Sequence, residues 1–405
     1  MIYLDYQATT PLAPEALAAM APWLQTQHAN PHSPHAPGRK AKAAVEVARD
    51  WIAGLLPEDG RVAFTGGATE SLNWAIKGTT GPIVTLATEH AAVLDTVQAE
   101  AARGRAVTVL PVGTDGLVDL DAARAAIVPG TGLVAAMLVN NEIGVIQPIA
   151  QLAALAHEAG ALMLCDAVQG YGRVPVPAGC DLIALSAHKI YGPKGIGALW
   201  LRDGVKLAPL MHGGNQEDGR SGTLSPALCA GFGTAARLMA EGAAEDAAHV
   251  ERLAEVAAAL LDLTPLPERE GLGVGRGLGY GRQERDGDCS ASTRPTPDPS
   301  LSGRGEGWTQ NAPTAPRYPG NLNLHRAGLD VARLMSECRD IAFSAGSACA
   351  SGSGRSSHVL RAIGLSEAQA RASIRIGFGR YTKEDELIDA LTRIDAAARA
   401  QRIAA

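Results

Sequence analysis

Seven lysines occur in 405 residues: Lys40, Lys42, Lys77, Lys189, Lys194, Lys206 and Lys383. Lys189 follows the apolar run DLIALSAH, and Asp166 follows ALMLC one run earlier. Both runs read as buried strands, so the two side chains reach one carboxyl edge of a sheet. An amine and a carboxylate so placed suit pyridoxal phosphate. A partly desolvated lysine loses its proton readily and holds the aldehyde as a Schiff base, whereas an arginine cannot. A carboxylate keeps the pyridine nitrogen protonated, so the ring can absorb the electrons of a carbanion. Taken alone, the pair reads as a surface lysine and a helix-capping aspartate, and it is the surrounding motifs that change this. Lys194 competes within the same window, but proline and glycine flank it in a turn outside the strand.

TGGATES at 65–71 lies at a strand-to-helix junction, where N–H groups and the helix dipole attract phosphate and small residues let the anion approach. The plainer alternative is a tight connection capped by Thr69. Ser186 and His188 add donors for the same anion, or else close a loop. His90, in ATEHAAVLD, ends another strand and could lie on the cofactor ring and exchange protons near neutral pH, or be structural. Asn141 in VNNEIG and Arg375 in SIRIGFGR are candidates for a substrate carboxylate, which the guanidinium fork matches bidentately. Arg375 could equally pair with an internal acid. Cys349 sits in SAGSACASGSG, whose small residues let a loop tip travel, and is the candidate nucleophile. Cys165, Cys180 and Cys338 have apolar or helical neighbours and read as core residues. No metal site is indicated.

The elements that must position these groups follow from pattern. RVAFTGG, PIVTLATEH, AVTVLPV, GLVAAMLVN, ALMLCDA, DLIALSAHK and GIGALWL lack polar alternation and read as strands buried on both faces of a mainly parallel sheet. Helices lie between them, for instance at 91–102 and 149–159, giving a doubly wound α/β domain. A long alanine-rich helix is expected from 226 to 263. Residues 267–316 hold ten glycines, six prolines and four aliphatic residues, and read as a mobile loop. A helix near 329–339, a strand at 374–378 and a last helix with Thr382 and Asp385 at capping-box spacing follow. The net charge of −6 excludes the basic footprint of a nucleic-acid binder. No apolar run spans a bilayer, and the start lacks a signal-peptide layout, so a cytoplasmic protein without membrane contact is expected. Six cysteines without a CxxC pair fit a reducing compartment.

The motifs LDYQATTPL, NPHSPH, TGGATES, TEHAAVLD, NNEIGVIQP, DAVQG, AHKIYGPKGIGAL, MHGGNQEDGRSGTL, PGNLN, SAGSACAS, VLRAIGL and SIRIGFGRYT together resemble the cysteine desulfurases of the NifS/IscS type, pyridoxal-phosphate-dependent members of the class V aminotransferase group. The resemblance covers the chain apart from 267–316. It implies a fold type I transferase with a seven-stranded, mainly parallel sheet in a large domain, 14–245, and a smaller α+β domain from 1–13 and 246–405 that carries the cysteine loop. It implies a homodimer in which Lys189 binds the cofactor, Asp166 the ring nitrogen and Gln169 the ring hydroxyl. His90 would lie on the ring, Ala68, Thr69, Ser186 and His188 at the phosphate, and Thr223 at the phosphate of the other subunit. Asn141 and Arg375 would hold L-cysteine, and Cys349 would take its sulfur, leaving L-alanine and a persulfide for an acceptor in iron–sulfur or other sulfur-cofactor assembly. The alternatives are a selenocysteine lyase or aminotransferase with the same cofactor, and an impaired scaffold protein. Ala187 stands where the family usually has glycine in GHK, and Gly67 where it reads SGATES; both exchanges are small for small. The chain also ends soon after the last helix, without the scaffold-docking tail of some members.

Overall fold

The computed structural model describes residues 1–263, 307–346 and 356–401. Seven apolar runs form one sheet, in the spatial order Gly60–Thr65, Gly197–Arg202, Leu182–Ser186, Leu162–Asp166, Leu133–Met137, Ile83–Leu86, Val107–Leu110. Gly197–Arg202 is antiparallel to both neighbours and the remaining pairings are parallel, so six strands share one direction and end at one edge. The expected mainly parallel, doubly wound architecture is what the chain adopts.

Successive residues of each strand face opposite layers. Val62 and Phe64 pack with Val45, Ile52 and Phe232 on one face, while Ala63 packs with Leu72, Trp74 and Val93 on the other. Covering both faces with helices removes the strands' apolar side chains from water, which explains why these runs show no polar alternation.

A second apolar cluster belongs to a small antiparallel sheet ordered Ser344–Ala345, Ser373–Gly377, Asn321–His325, Thr309–Gln310. Helices Ala243–Leu260 and Glu384–Ala400 supply Leu253, Ala254, Leu387 and Leu391 to it. The start of the chain is stitched to this body: Ile2–Tyr3 pairs in parallel with Ile341–Ala342, and Leu4 is fully buried in the cluster.

Three expectations need correction. The helix expected from 226 to 263 divides at Gly242 into Pro226–Glu241 and Ala243–Leu260. Glycine is the weakest helix former apart from proline, and the Arg380 guanidinium binds Leu238 O at 2.9 Å and Asp246 across the break. Of the stretch expected to be mobile, 267–306 lies outside the described residues, whereas 307–316 is ordered. Trp308, Ala312 and Ala315 are buried, Thr309–Gln310 joins the small sheet, and Trp308 Nε1 donates to Asp395 Oδ1 at 2.9 Å. A count of aliphatic residues overlooks the area that one tryptophan and two alanines bury. Lastly, Thr382 does not cap the final helix, which begins at Glu384 after Lys383; Thr382 Oγ1 accepts the Gly379 N–H instead.

Candidate active site

Along the carboxyl edge lies a cleft of about 1020 Å³ lined by Ala68, Thr69, His90, Asn141, Asp166, Gln169, Ser186, His188, Lys189 and Arg375, together with Gln7, Gly67 and Lys194. Strand register brings these positions together. Met137 lies opposite Asp166 and Asp166 opposite Ala184, so adjacent strand ends bring Asp166 and, two residues further along the next strand, Ser186 to one edge.

Lys189 ends a short 3₁₀ turn, Ala187–Lys189. Its ammonium donates to Gln7 O at 2.6 Å and Ala8 O at 2.8 Å, contacts supplied by the chain's start. Gln169 Nε2 donates to the same Gln7 carbonyl at 2.9 Å. Lys194, the competing amine, lies exposed on a turn at the rim.

Asp166 is buried and Oδ1 accepts the Val168 N–H at 3.0 Å. Burial raises its pKa to about 6, against the opposing pull of that hydrogen bond and of the Lys189 charge. Next to it, Glu89 is fully buried: Oε1 accepts the Met137 N–H at 2.8 Å, Oε2 has no partner among the described residues, and burial plus the Asp166 charge push its pKa well up. A carboxylate pair in a dry site cannot both ionise without a nearby cation.

The phosphate end begins at Gly67, whose φ of 155° and ψ of 170° suit glycine and where a Cβ would meet nothing within 4 Å. Gly67, and not Thr69, occupies the cap position of helix Ala68–Gly78, and the N–H groups of Ala68 and Thr69 have no acceptor among the described residues. His188 Nδ1 pairs with Thr9 Oγ1 at 3.1 Å; burial, then the Lys189 and Lys194 charges, lower its pKa to about 4, so it stays neutral.

His90 caps helix Ala91–Ala102 by accepting the Ala92 N–H on Nδ1 at 3.0 Å, which puts the neutral ring's proton on Nε2. Burial, and then the Lys189 and His358 charges, lower its pKa. Across the cleft, Arg375 is 1% exposed: Nη1 donates to Asn141 O at 3.0 Å and Nη2 to Asp5 Oδ1 at 2.8 Å. The internal acid that the sequence left open is therefore present, and Arg375 also lines the cleft.

One proposed residue, Thr223, does not line this cleft. Thr223 is exposed, in the segment between Met211 and Leu224. Cys349 lies outside the described residues, as does Cys289; Cys165, Cys180 and Cys338 are buried, as expected, and so is Cys229. The residues flanking Cys349's segment are tied to the cleft's substrate side. Ser344 Oγ lies 3.3 Å from Arg375 Nη2, Ser357 Oγ bonds Glu142 Oε2, and His358 Nε2 meets Glu89 O at 2.8 Å. Gln7, Asp5, Glu89 and Glu142 were not read as site residues. Adjacency to His90 and Asn141 was the available signal for the two glutamates, and nothing local marked Asp5.

A lysine amine facing a buried carboxylate that wants a cation, beside a helix start with unused N–H groups, places the molecule among fold type I pyridoxal phosphate enzymes. The family described as aminotransferase class-V matches residues 2–272. A cysteine desulfurase IscS of Rickettsia bellii (strain OSU 85-389) is 40% identical over 401 residues, covering 95% of this chain and 88% of that protein. The mitochondrial cysteine desulfurase of Candida maltosa is 40% identical over 95% of this chain and 75% of its own. Among solved structures, a NifS-like protein superposes with a TM-score of 0.80 at 28% identity, covering 98% of each chain, and an SspA in complex with cysteine with 0.75 at 32%, covering 95% of this chain and 100% of that one. The chain belongs to the cysteine desulfurase family of class V aminotransferases.

Proposed function

We propose that this protein takes sulfur from L-cysteine, giving L-alanine and a persulfide on Cys349 that is passed to an acceptor protein in iron–sulfur or other sulfur-cofactor assembly. The observation that carries this reading is the convergence of Lys189, Asp166 and Arg375 on one cleft. The stoichiometry balances: cysteine and the Cys349 thiol give alanine and a hydrodisulfide, with no external oxidant.

The residues fit pyridoxal 5'-phosphate. Lys189 would hold its aldehyde, Asp166 its ring nitrogen, Gln169 its hydroxyl, His90 its ring face, and Ala68, Thr69, Ser186 and His188 its phosphate. When bound, the cofactor supplies an electron sink that acidifies the substrate's Cα and polarises its Cβ–S bond. Arg375 and Asn141 orient the substrate carboxylate at the wall facing Lys189. Lys189, once released as an amine, moves the proton at Cα, and His90, kept neutral by burial, stands ready to take or give one beside it. The Cys349 thiolate attacks the substrate sulfur.

The active form is a homodimer in which Thr223, exposed on its own subunit, serves the other subunit's phosphate site. We place it in the cytosol; the four described cysteines are unpaired thiols, and no described helix is long and apolar enough to cross a membrane. The test is incubation with L-cysteine and a reductant, assaying sulfide and alanine together. Equal amounts of both are expected, with neither from Lys189→Ala. Transamination of a keto acid without sulfide release would overturn the reading.

A further inference from the structure

Two residues beyond Lys189 the backbone does something that a large side chain rarely tolerates: Tyr191 has φ of 68°. A buried aromatic residue in this left-handed region costs free energy and persists where its surroundings over-determine it. Here they do, from two directions. From the chain's start, Thr10 Oγ1 accepts the Tyr191 N–H at 2.7 Å, the Ala13 N–H donates to Tyr191 O at 2.9 Å, and the Tyr6 ring packs edge-on with centroids 6.3 Å apart. From the chain's end, the Arg380 N–H donates to Tyr191 Oη at 2.9 Å, the Arg380 guanidinium lies 4.9 Å from the ring centroid, and the Tyr381 ring packs at 5.2 Å. Gly379 makes room for this phenol, since a Cβ there would lie 2.5 Å from Oη.

The same turn holds the reacting amine. Ala187 O accepts the N–H groups of Ile190 at 3.0 Å and Gly192 at 2.9 Å, so the bend at Tyr191 folds the chain back over Lys189. His188 O is bound by the Thr10 N–H at 2.9 Å, and Lys189 Nζ by Gln7 O and Ala8 O. Residues 6–13 therefore grip the turn through Tyr191 and Lys189 together, and 379–381 grip it through Tyr191.

We propose that Tyr191 is a positioning residue for Lys189: its strained backbone, pinned by residues 6–13 and 379–381, sets the direction from which Nζ enters the cleft. This deepens the proposed function, resting on Lys189 as the reacting amine. It also gives the small C-terminal body a mechanical connection to that amine through Arg380 and Tyr381. Tyr191 is absent from the cleft lining, so it acts through the lysine.

The test labels the protein, without and with pyridoxal phosphate, using trace amounts of an acetylating reagent, and compares Lys189 with Lys194 by peptide mass spectrometry. In the cofactor-free protein, Tyr191→Ala should label Lys189 at least threefold faster than the parent chain, Lys194 serving as the unchanged internal reference. Thr10→Val, which removes the acceptor of the Tyr191 N–H but keeps the core, should shift it in the same direction by less. Tyr191→Phe, which keeps ring and bend but loses the bond from the Arg380 N–H, should shift it by less than Tyr191→Ala. In the cofactor-loaded protein, the pH midpoint of the visible absorbance should move most for Tyr191→Ala and less for Thr10→Val and Tyr191→Phe. Parental Lys189 labelling in both Thr10→Val and Tyr191→Ala, or a rise shared equally by Lys194, would overturn the proposal. A labelling shift in a chain that never binds pyridoxal phosphate would instead sink the proposed function and leave the positioning role standing.

Discussion

Arg375 and Asp5, 370 positions apart in the chain, form an ion pair at 2.8 Å on the wall of the cleft, and Ser344 Oγ donates to the same Asp5 oxygen at 2.8 Å. The pair fixes the plane of a guanidinium whose Nε has no partner among the described residues. A fork oriented in this way can receive a carboxylate without first losing rotamer freedom.

Arg375→Lys keeps the charge and loses the fork. One charge-assisted bond is worth roughly 1.5–3 kcal/mol, so KM for L-cysteine should rise about 10- to 100-fold while the cofactor absorbance is unchanged. Asp5→Asn preserves an acceptor and should leave KM no higher than in the parent. Steady-state kinetics on both variants decide this, and an unaltered KM in Arg375→Lys removes Arg375 from substrate binding.

Asp166 makes a prediction about the cofactor-free protein. Its folded pKa of about 6 lies above the ordinary 3.8, so between these values the folded chain keeps a proton that the unfolded chain releases. Stability must then fall as pH rises through that window, by about 3 kcal/mol in total. Glu89, shifted upward by burial and by Asp166, adds in the same sense. Asp166→Asn should therefore make the cofactor-free protein more stable to urea at pH 7.5 and no more stable near pH 4, while weakening cofactor retention. Identical urea midpoints for parent and variant at pH 7.5 would refute the dominance of burial over the Val168 hydrogen bond and the Lys189 charge at this carboxyl.

What was legible in advance follows a physical division. Asp166 and Lys189 were readable because each directly follows an apolar run, and a parallel sheet sends all such ends to one edge. His90 was readable for the same reason, whereas Arg375, inside a strand of the small antiparallel sheet, was marked only by the fit of its guanidinium fork to a carboxylate. Asp5 and Gln7 were not, because their contacts depend on the first residues pairing with a strand at 341–342, a closure without local periodicity. Trp308 was hidden among glycines and prolines, where composition outweighed one large side chain. Thr382 carried a real capping-box spacing, but its hydroxyl bonded Gly379, showing tertiary structure overriding a local signal.

The segment that carries Thr223 is fastened by an ion pair between a half-buried Arg49 and a buried Glu217. Glu217 has a side chain 2% exposed; it accepts Arg49 Nη1 at 2.7 Å, Arg49 Nη2 at 3.0 Å and the Phe64 N–H at 2.7 Å. Arg49→Met leaves that carboxylate buried without its cation, which should cost about 3–5 kcal/mol in urea unfolding. Adding Glu217→Gln to Arg49→Met should recover a large part of the loss, because an amide needs no counter-ion. Failure of the double variant to recover would mean that packing, and not charge, dominates there.

The role proposed for Cys349 can be tested by substitution. The buried Cys165, Cys180, Cys229 and Cys338 cannot replace it; at Cys165 the hydrogen bond with Cys180 and then burial, and at Cys229 burial, further disfavour the thiolate. Cys349→Ser should keep the lysine-bound cofactor absorbance and lower alanine release from L-cysteine by more than about 100-fold, since a neutral hydroxyl is a poor sulfur acceptor. Parallel assays of absorbance and alanine separate the two roles: colour without turnover assigns sulfur transfer to Cys349, whereas normal turnover in the serine variant would require a different acceptor.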